Sequence, residues 1–170
     1  MKGRAHLSPC GTYRYQLHRD ELRPALMPPP KRVTFVMLNP STADAEEDDP
    51  TIRRCIGFAL REGGSSLTVV NLYALRATDP NELLRHPAPI GPDNDAAILD
   101  GCRGAELVIL AWGAHRAARS RAPRMLGLLA ELRADGGLGL VCTLGLTKLR
   151  APRHPLYLAA DTPLEMVPSA

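Results

Sequence analysis

Val33-Thr-Phe-Val-Met-Leu38, followed at once by Asn39-Pro-Ser-Thr-Ala-Asp44, is the stretch that decides the fold. The first six residues are apolar without alternation, and the next six are polar and turn-forming. A continuous, partly β-branched run of this length reads as a strand covered on both faces, as in a parallel sheet. Three more such runs follow: Leu67-Thr-Val-Val-Asn-Leu72, Glu106-Leu-Val-Ile-Leu-Ala111 and Gly139-Leu-Val-Cys-Thr-Leu144. Helical patterns separate them. Residues 50–62 carry an apolar stripe at Ile52, Cys55, Ile56, Ala59 and Leu60, with Pro50 at the start and Gly63-Gly64 at the end. Residues 94–102 form a second helical stretch. Residues 114–134 hold a third, which Pro123 is expected to kink or split into two short helices. Strands alternating with helices predict a three-layer α/β/α fold around a mostly parallel four-stranded sheet.

Outside this core of residues 33–145, the alternation in residues 12–18 predicts a half-buried edge strand. The prolines of residues 24–30 predict a stiff loop, and residues 151–170 an extended surface segment. The 170 residues suit one α/β domain. No apolar run reaches the roughly 18–20 residues that span a bilayer, and no apolar stretch follows the basic N-terminus. Membrane insertion and secretion are therefore not expected, and the cytoplasm is. Cys10, Cys55, Cys102 and Cys142 are widely spaced, with no C-x-x-C pair, which argues against structural zinc. No motif names a cofactor, and nothing sets the oligomeric state. The net charge of +3 permits a nucleic-acid partner without requiring one.

In an open parallel sheet, ligands bind beyond the carboxyl ends of the strands. All four strand exits here are polar. Asn39, Pro40 and Ser41 offer an amide and a hydroxyl for a water or a base edge, or simply start a turn. Asp44 and Asp49 flank an acidic run that is either a solvated loop or the source of one base or metal ligand. Asn71 interrupts an apolar strand, so its amide is tied to a neighbouring loop or reads a ligand. Tyr73 lies just beyond it. Trp112-Gly113 precedes His115 and Arg116, which form either a phosphate-binding helix start or a solvated face. Lys148 and Arg153 come after the last strand. Pro152 and Pro155 fix the backbone around His154 and so the direction of its imidazole.

Several blocks carry a family resemblance: Leu38–Asp44, Asp49–Cys55, Val70–Leu72 with Arg76–Pro80, Ala111–Gly113 and Pro152–Tyr157. They resemble a bacterial and phage family of unknown function, numbered 1643 among such domains. The order of strand–Asn-Pro, strand–Asn, strand–x-Gly and His-Pro is also similar to the uracil-DNA glycosylase superfamily. That second resemblance implies a glycosylase-like fold and hydrolysis of an N-glycosidic bond in DNA or a nucleotide. Asn39 would then orient the attacking water, Asp44 could activate it, and Asn71 would read the pyrimidine edge. His154 would stabilise charge on the departing base or contact phosphate, and Pro40, Ser41, Tyr73, Gly113, Lys148 and Arg153 would border the substrate. Where that superfamily carries a stacking aromatic after its first motif, this chain has Asp48-Asp49-Pro50-Thr51. Two other readings stand beside it. One is a non-catalytic nucleic-acid or nucleotide-binding module. The other is a metal-dependent hydrolase using Asp44 and Asp49.

Overall fold

The four apolar runs become strands β3 (Arg32–Met37), β4 (Ser66–Asn71), β5 (Leu107–Leu110) and β6 (Leu140–Thr143). They are mutually parallel and adjacent in the order β4-β3-β5-β6. The computed structural model of the chain describes residues 2–23 and 30–167. Residues Val33, Phe35, Leu67, Val69, Leu107 and Ile109 pack on one face, against Ile52, Cys55, Phe58 and Ala59 of helix α1 (Pro50–Arg61). Val36, Val70, Val108, Leu110 and Val141 pack on the other face. They meet Ile98 and Cys102 of α2 (Asn94–Cys102) and Met125, Leu128 and Leu132 of α3 (Arg116–Ala134). Both faces are covered, which is why the strands read as unbroken apolar runs.

The sheet is wider than the four strands expected from the sequence and from the glycosylase resemblance. Among the described residues it has seven, in the order β1-β2-β4-β3-β5-β6-β7. β1 (Lys2–Leu7), β2 (Arg14–Asp20) and β7 (Glu165–Met166) add antiparallel strands at its flanks. The expected edge strand is therefore interior: β2 lies between β1 and β4. β1 carries no strand signature because an edge strand open to water needs no apolar alternation, and five of its six residues are exposed. The C-terminal segment is not wholly irregular either, since β7 pairs with β6 and Pro155–Tyr157 forms a 3-10 turn. Most of the expected proline loop, residues 24–29, lies outside the described residues.

Pro123 neither splits α3 nor ends it. The proline lacks the N–H that would bond the Arg119 carbonyl. Both residues are on the exposed face, where water can take that acceptor. α1 begins as its sequence suggests: the Asp49 carboxylate accepts the Ile52 N–H at 2.8 Å. At its far end Gly63 adopts φ +76°, and Gly64 N–H closes on the Ala59 carbonyl at 2.7 Å.

The chain leaves β3 for α1 on one face and leaves β5 for α3 on the other. The exits of these two neighbours diverge and open a crevice at the carboxyl edge of the sheet. β2 runs antiparallel to β4, which brings its first residue, Arg14, to the same edge. Arg14 N–H bonds the Ala74 carbonyl there at 2.9 Å.

Candidate functional site

A cavity of about 380 Å³ occupies that crevice. This is within the range of small-molecule sites. Asn39, Asn71 and His154 all line it, although they are far apart in the chain.

Asn71 is the last residue of β4 and is 1% exposed. Its backbone carbonyl accepts the Asn94 side-chain N–H at 3.0 Å, but its own Nδ2 and Oδ1 are both buried without a partner. A buried amide left unsatisfied costs about 1–3 kcal/mol. A donor and an acceptor thus stand side by side and unmatched in a residue of the cavity lining. Asn39 is held differently. Its Nδ2 donates to the carbonyls of Pro40 at 3.0 Å and Ala77 at 2.8 Å. Those bonds fix the amide and leave its Oδ1 as the acceptor for anything in the cavity.

His154 caps the 3-10 turn, and its Nδ1 accepts the Leu156 N–H at 3.3 Å. The ring proton therefore sits on Nε2. Burial pushes the pKa of His154 down, against the smaller opposing pull of Asp49. The ring is neutral at pH 7, and Nε2–H is a donor. His115 repeats the device at the start of α3: Nδ1 accepts the Ala117 N–H at 3.3 Å, and Nε2 faces Asn81 Oδ1 at 3.4 Å. Both histidines border the cavity. Gly113 links their supports. Its N–H bonds the Pro152 carbonyl at 2.9 Å, and its φ of +76° favours glycine.

Arg14, Thr51 and Tyr157 also line the cavity, and none of them stood out in the sequence as a site residue. Arg14 is 2% exposed, Nη1 donates to the Ala43 carbonyl, and Nε is buried without a partner. Among the described residues no carboxylate pairs with it. Burial draws its pKa down to about 10, with Asp49 as the main opposing influence and Arg76 and Arg19 adding to the fall. Tyr157, 85% exposed, stands at the rim with its ring centroid 6.3 Å from that of His154. With the buried Trp112 it supplies aromatic surface to the cavity.

Ser41, Gly113 and His115 also line the cavity, whereas Asp44, Pro40, Tyr73, Lys148, Arg153 and Arg116 do not. Asp44 Oδ1 accepts the N–H groups of Glu46 at 2.8 Å and Glu47 at 2.9 Å. These bonds close its own loop and hold its carboxyl below the usual range. Asp49 is the carboxylate in the lining. Asp44 and Asp49 thus share no cavity, and the metal reading lacks the convergence it needs. Among the described residues no cluster of three or more His, Cys, Asp or Glu side chains is placed to hold a metal. The Pro40 carbonyl is occupied by Asn39 Nδ2 and Ala77 N–H. Tyr73 Oη donates to the Ala117 carbonyl at 2.9 Å and is buried under α3. Arg116, Lys148 and Arg153 are exposed, while Arg121 and Arg124 pair with Asp95 of α2. Cys10 is exposed and the other three thiols are buried.

No helix among the described residues is long and apolar enough to cross a membrane. No curated protein matches the chain, and no solved structure does. One family model matches residues 14–156, a span that runs from Arg14 through His154 and holds every cavity-lining residue except Tyr157. The chain therefore belongs to the DUF1643 family, described as a protein of unknown function.

Proposed function

We propose that the cavity binds a nucleobase and that the chain hydrolyses an N-glycosidic bond. The observation that carries this reading is the Asn71 side chain, whose donor and acceptor are both buried and both unpartnered, in a cavity that Asn39 and His154 also line. An asparagine amide matches a base edge that offers one donor and one acceptor side by side. Trp112 and Tyr157 provide surface for the ring faces.

The remaining groups supply the chemistry. Asn39 Oδ1 accepts a hydrogen bond from the attacking water. Asp49 spends Oδ1 on the Ile52 N–H, which leaves Oδ2 to take the water's proton. The water oxygen bonds to the anomeric carbon as the carbon–nitrogen bond breaks, and the electron pair departs with the base. His154 Nε2–H donates to the oxygen on which that charge accumulates. The proton on Asp49 then returns to the base.

Full-length protein incubated with nucleosides, and with uracil-containing single- and double-stranded oligonucleotides, tests this. Free base is measured by chromatography and abasic sites by alkaline cleavage. Base release that falls about 100-fold or more in Asn71→Ala supports the reading. No release from any substrate, or full activity in Asn71→Ala, contradicts it. A non-catalytic nucleobase binder is the second reading, favoured by the cap role that already occupies Asp49. Saturable nucleoside binding without release would select it.

A further inference from the structure

Arg14 places a positive charge in the cavity wall that no carboxylate among the described residues pairs with directly, Asp49 acting on it only at a distance. The other two buried arginines are partnered: Arg19 pairs with Asp48, and Arg121 with Asp95. A buried cation without a counter-ion is costly, and its natural complement is an anion supplied from outside.

A second feature of the same cavity points the same way. The twelve-residue helix α1 opens onto it, with Thr51 and Ile52 in the lining. Helix N-termini carry partial positive charge and leave their first N–H groups free. Here the Asp49 carboxylate satisfies one of them, the Ile52 N–H, while the Arg53 N–H makes the first ordinary helical bond to the Asp49 carbonyl at 3.1 Å. Pro50 has no N–H to offer. Among the described residues nothing accepts from the Thr51 N–H or hydroxyl. The guanidinium N–H groups that Ala43 does not take, a backbone N–H and a hydroxyl make a donor set suited to phosphate oxygens.

We propose that Arg14 and the N-terminus of α1 form a phosphate subsite, so that the ligand of this cavity is a nucleotide and not a bare nucleoside or base. The proposal rests on the nucleobase reading only for the second half of the ligand; the anion subsite stands on Arg14 and Thr51 alone. Asp49 lies in the same lining and sets the competing account, in which Arg14 is neutralised by Asp49 through bound water and takes no ligand.

The full chain is titrated with inorganic phosphate, with pyrimidine and purine nucleosides, with their 5′-monophosphates, and with a short single-stranded oligonucleotide. Melting temperature and backbone amide shifts are followed. Millimolar phosphate is expected to raise the melting temperature and to move the Thr51 amide resonance. A monophosphate is expected to bind at least tenfold tighter than its nucleoside. Arg14→Gln should abolish the phosphate shift and bring the monophosphate down to the nucleoside's affinity, while Arg14→Lys retains part of both. Binding of the monophosphate assigns the phosphate to a free nucleotide. Arg14-dependent binding of the oligonucleotide alone assigns it to a nucleic-acid backbone.

An unmoved Thr51 amide in wild-type protein at tens of millimolar phosphate overturns the proposal, and needs no variant to fold. An unchanged monophosphate preference in Arg14→Gln overturns it as well. If nucleosides bind as tightly as monophosphates, the phosphate subsite fails and the nucleobase reading survives. If inorganic phosphate binds through Arg14 and no monophosphate binds better, the nucleobase reading fails and the anion subsite survives.

Discussion

The two ends of strand β2 bury an arginine equally, each 2% exposed, and treat it in opposite ways. At the far end Arg19 is fully engaged. Nε donates to Asp48 Oδ1 at 2.8 Å, Nη1 to the His18 carbonyl at 2.9 Å, and Nη2 to the Asp44 carbonyl at 2.6 Å. It pins the acidic loop to the sheet. At the near end Arg14 has one backbone acceptor, an unpartnered Nε and, among the described residues, no carboxylate partner. The difference separates a polar group that the chain satisfies for itself from one that it leaves open. Arg19 builds the fold, and Arg14 lines the cavity. Asn71 belongs with Arg14, and Asp44 belongs with Arg19.

Substitutions should reproduce this division. The largest effect is expected at the satisfied end. Asp48→Ala strands the Arg19 charge and should cost about 3 kcal/mol or more in urea denaturation. Arg14→Met removes a charge that is already stranded. It should leave the ligand-free protein within about 1 kcal/mol of wild type, or more stable. A loss at Arg14 as large as that at Asp48 would erase the distinction. Asn71→Leu and Asn94→Leu sharpen it on a smaller scale. Asn94 Nδ2 donates to the carbonyls of Asn71 and Leu72, both at 3.0 Å, so its loss should cost about 1–3 kcal/mol. Asn71→Leu removes two unmet groups and should be close to neutral for folding.

A still smaller effect concerns pH. Burial lowers the pKa of His154 in the folded state, so the unfolded chain takes up its proton first as pH falls. Stability should therefore decline as pH drops below about 6.5, the ordinary histidine value. His18 is shifted in the same direction, chiefly by burial and then by Arg4, and contributes its own share. His154→Gln should remove part of that acid slope, as read from melting temperature between pH 7 and pH 5. An unchanged slope would mean that the ring is not buried neutral. The smallest effect on the fold belongs to Cys10. The Ser8 and Thr12 hydroxyls bring this exposed thiol down to about 7, whereas burial raises Cys102 to about 12. Iodoacetamide at pH 7.5 should label Cys10 first and leave the melting temperature unchanged.

The same division explains which features were legible in the sequence. The four central strands announced themselves because burial on both faces demands unbroken apolar runs. α2 was legible to its ends, at Asn94 and Cys102. Strand β1 was not, because nothing at a solvated edge constrains its side chains. Asn39, Asn71 and His154 were legible by position. Each stands at or beyond the end of a parallel strand, and the carboxyl edge of such a sheet gathers residues from distant parts of the chain. Arg14 was not, because it begins an antiparallel strand, and the topology alone brings it to that edge. Asp44 and Asp49 look alike in sequence, each an acid beside a turn. Only the geometry shows one closing a loop and the other capping α1 at the cavity.

The Asn71 amide is buried and unpartnered, and in the proposed function a nucleobase completes it. The most direct measurement tracks the side-chain amide resonances of Asn71 in wild-type protein during titration with nucleosides and nucleoside monophosphates. A saturable shift of the Asn71 NH₂ pair, absent from Asn94, is the predicted result. Saturable binding at the cavity that leaves the Asn71 pair unmoved, or no binding by any nucleoside or nucleotide, would contradict the account.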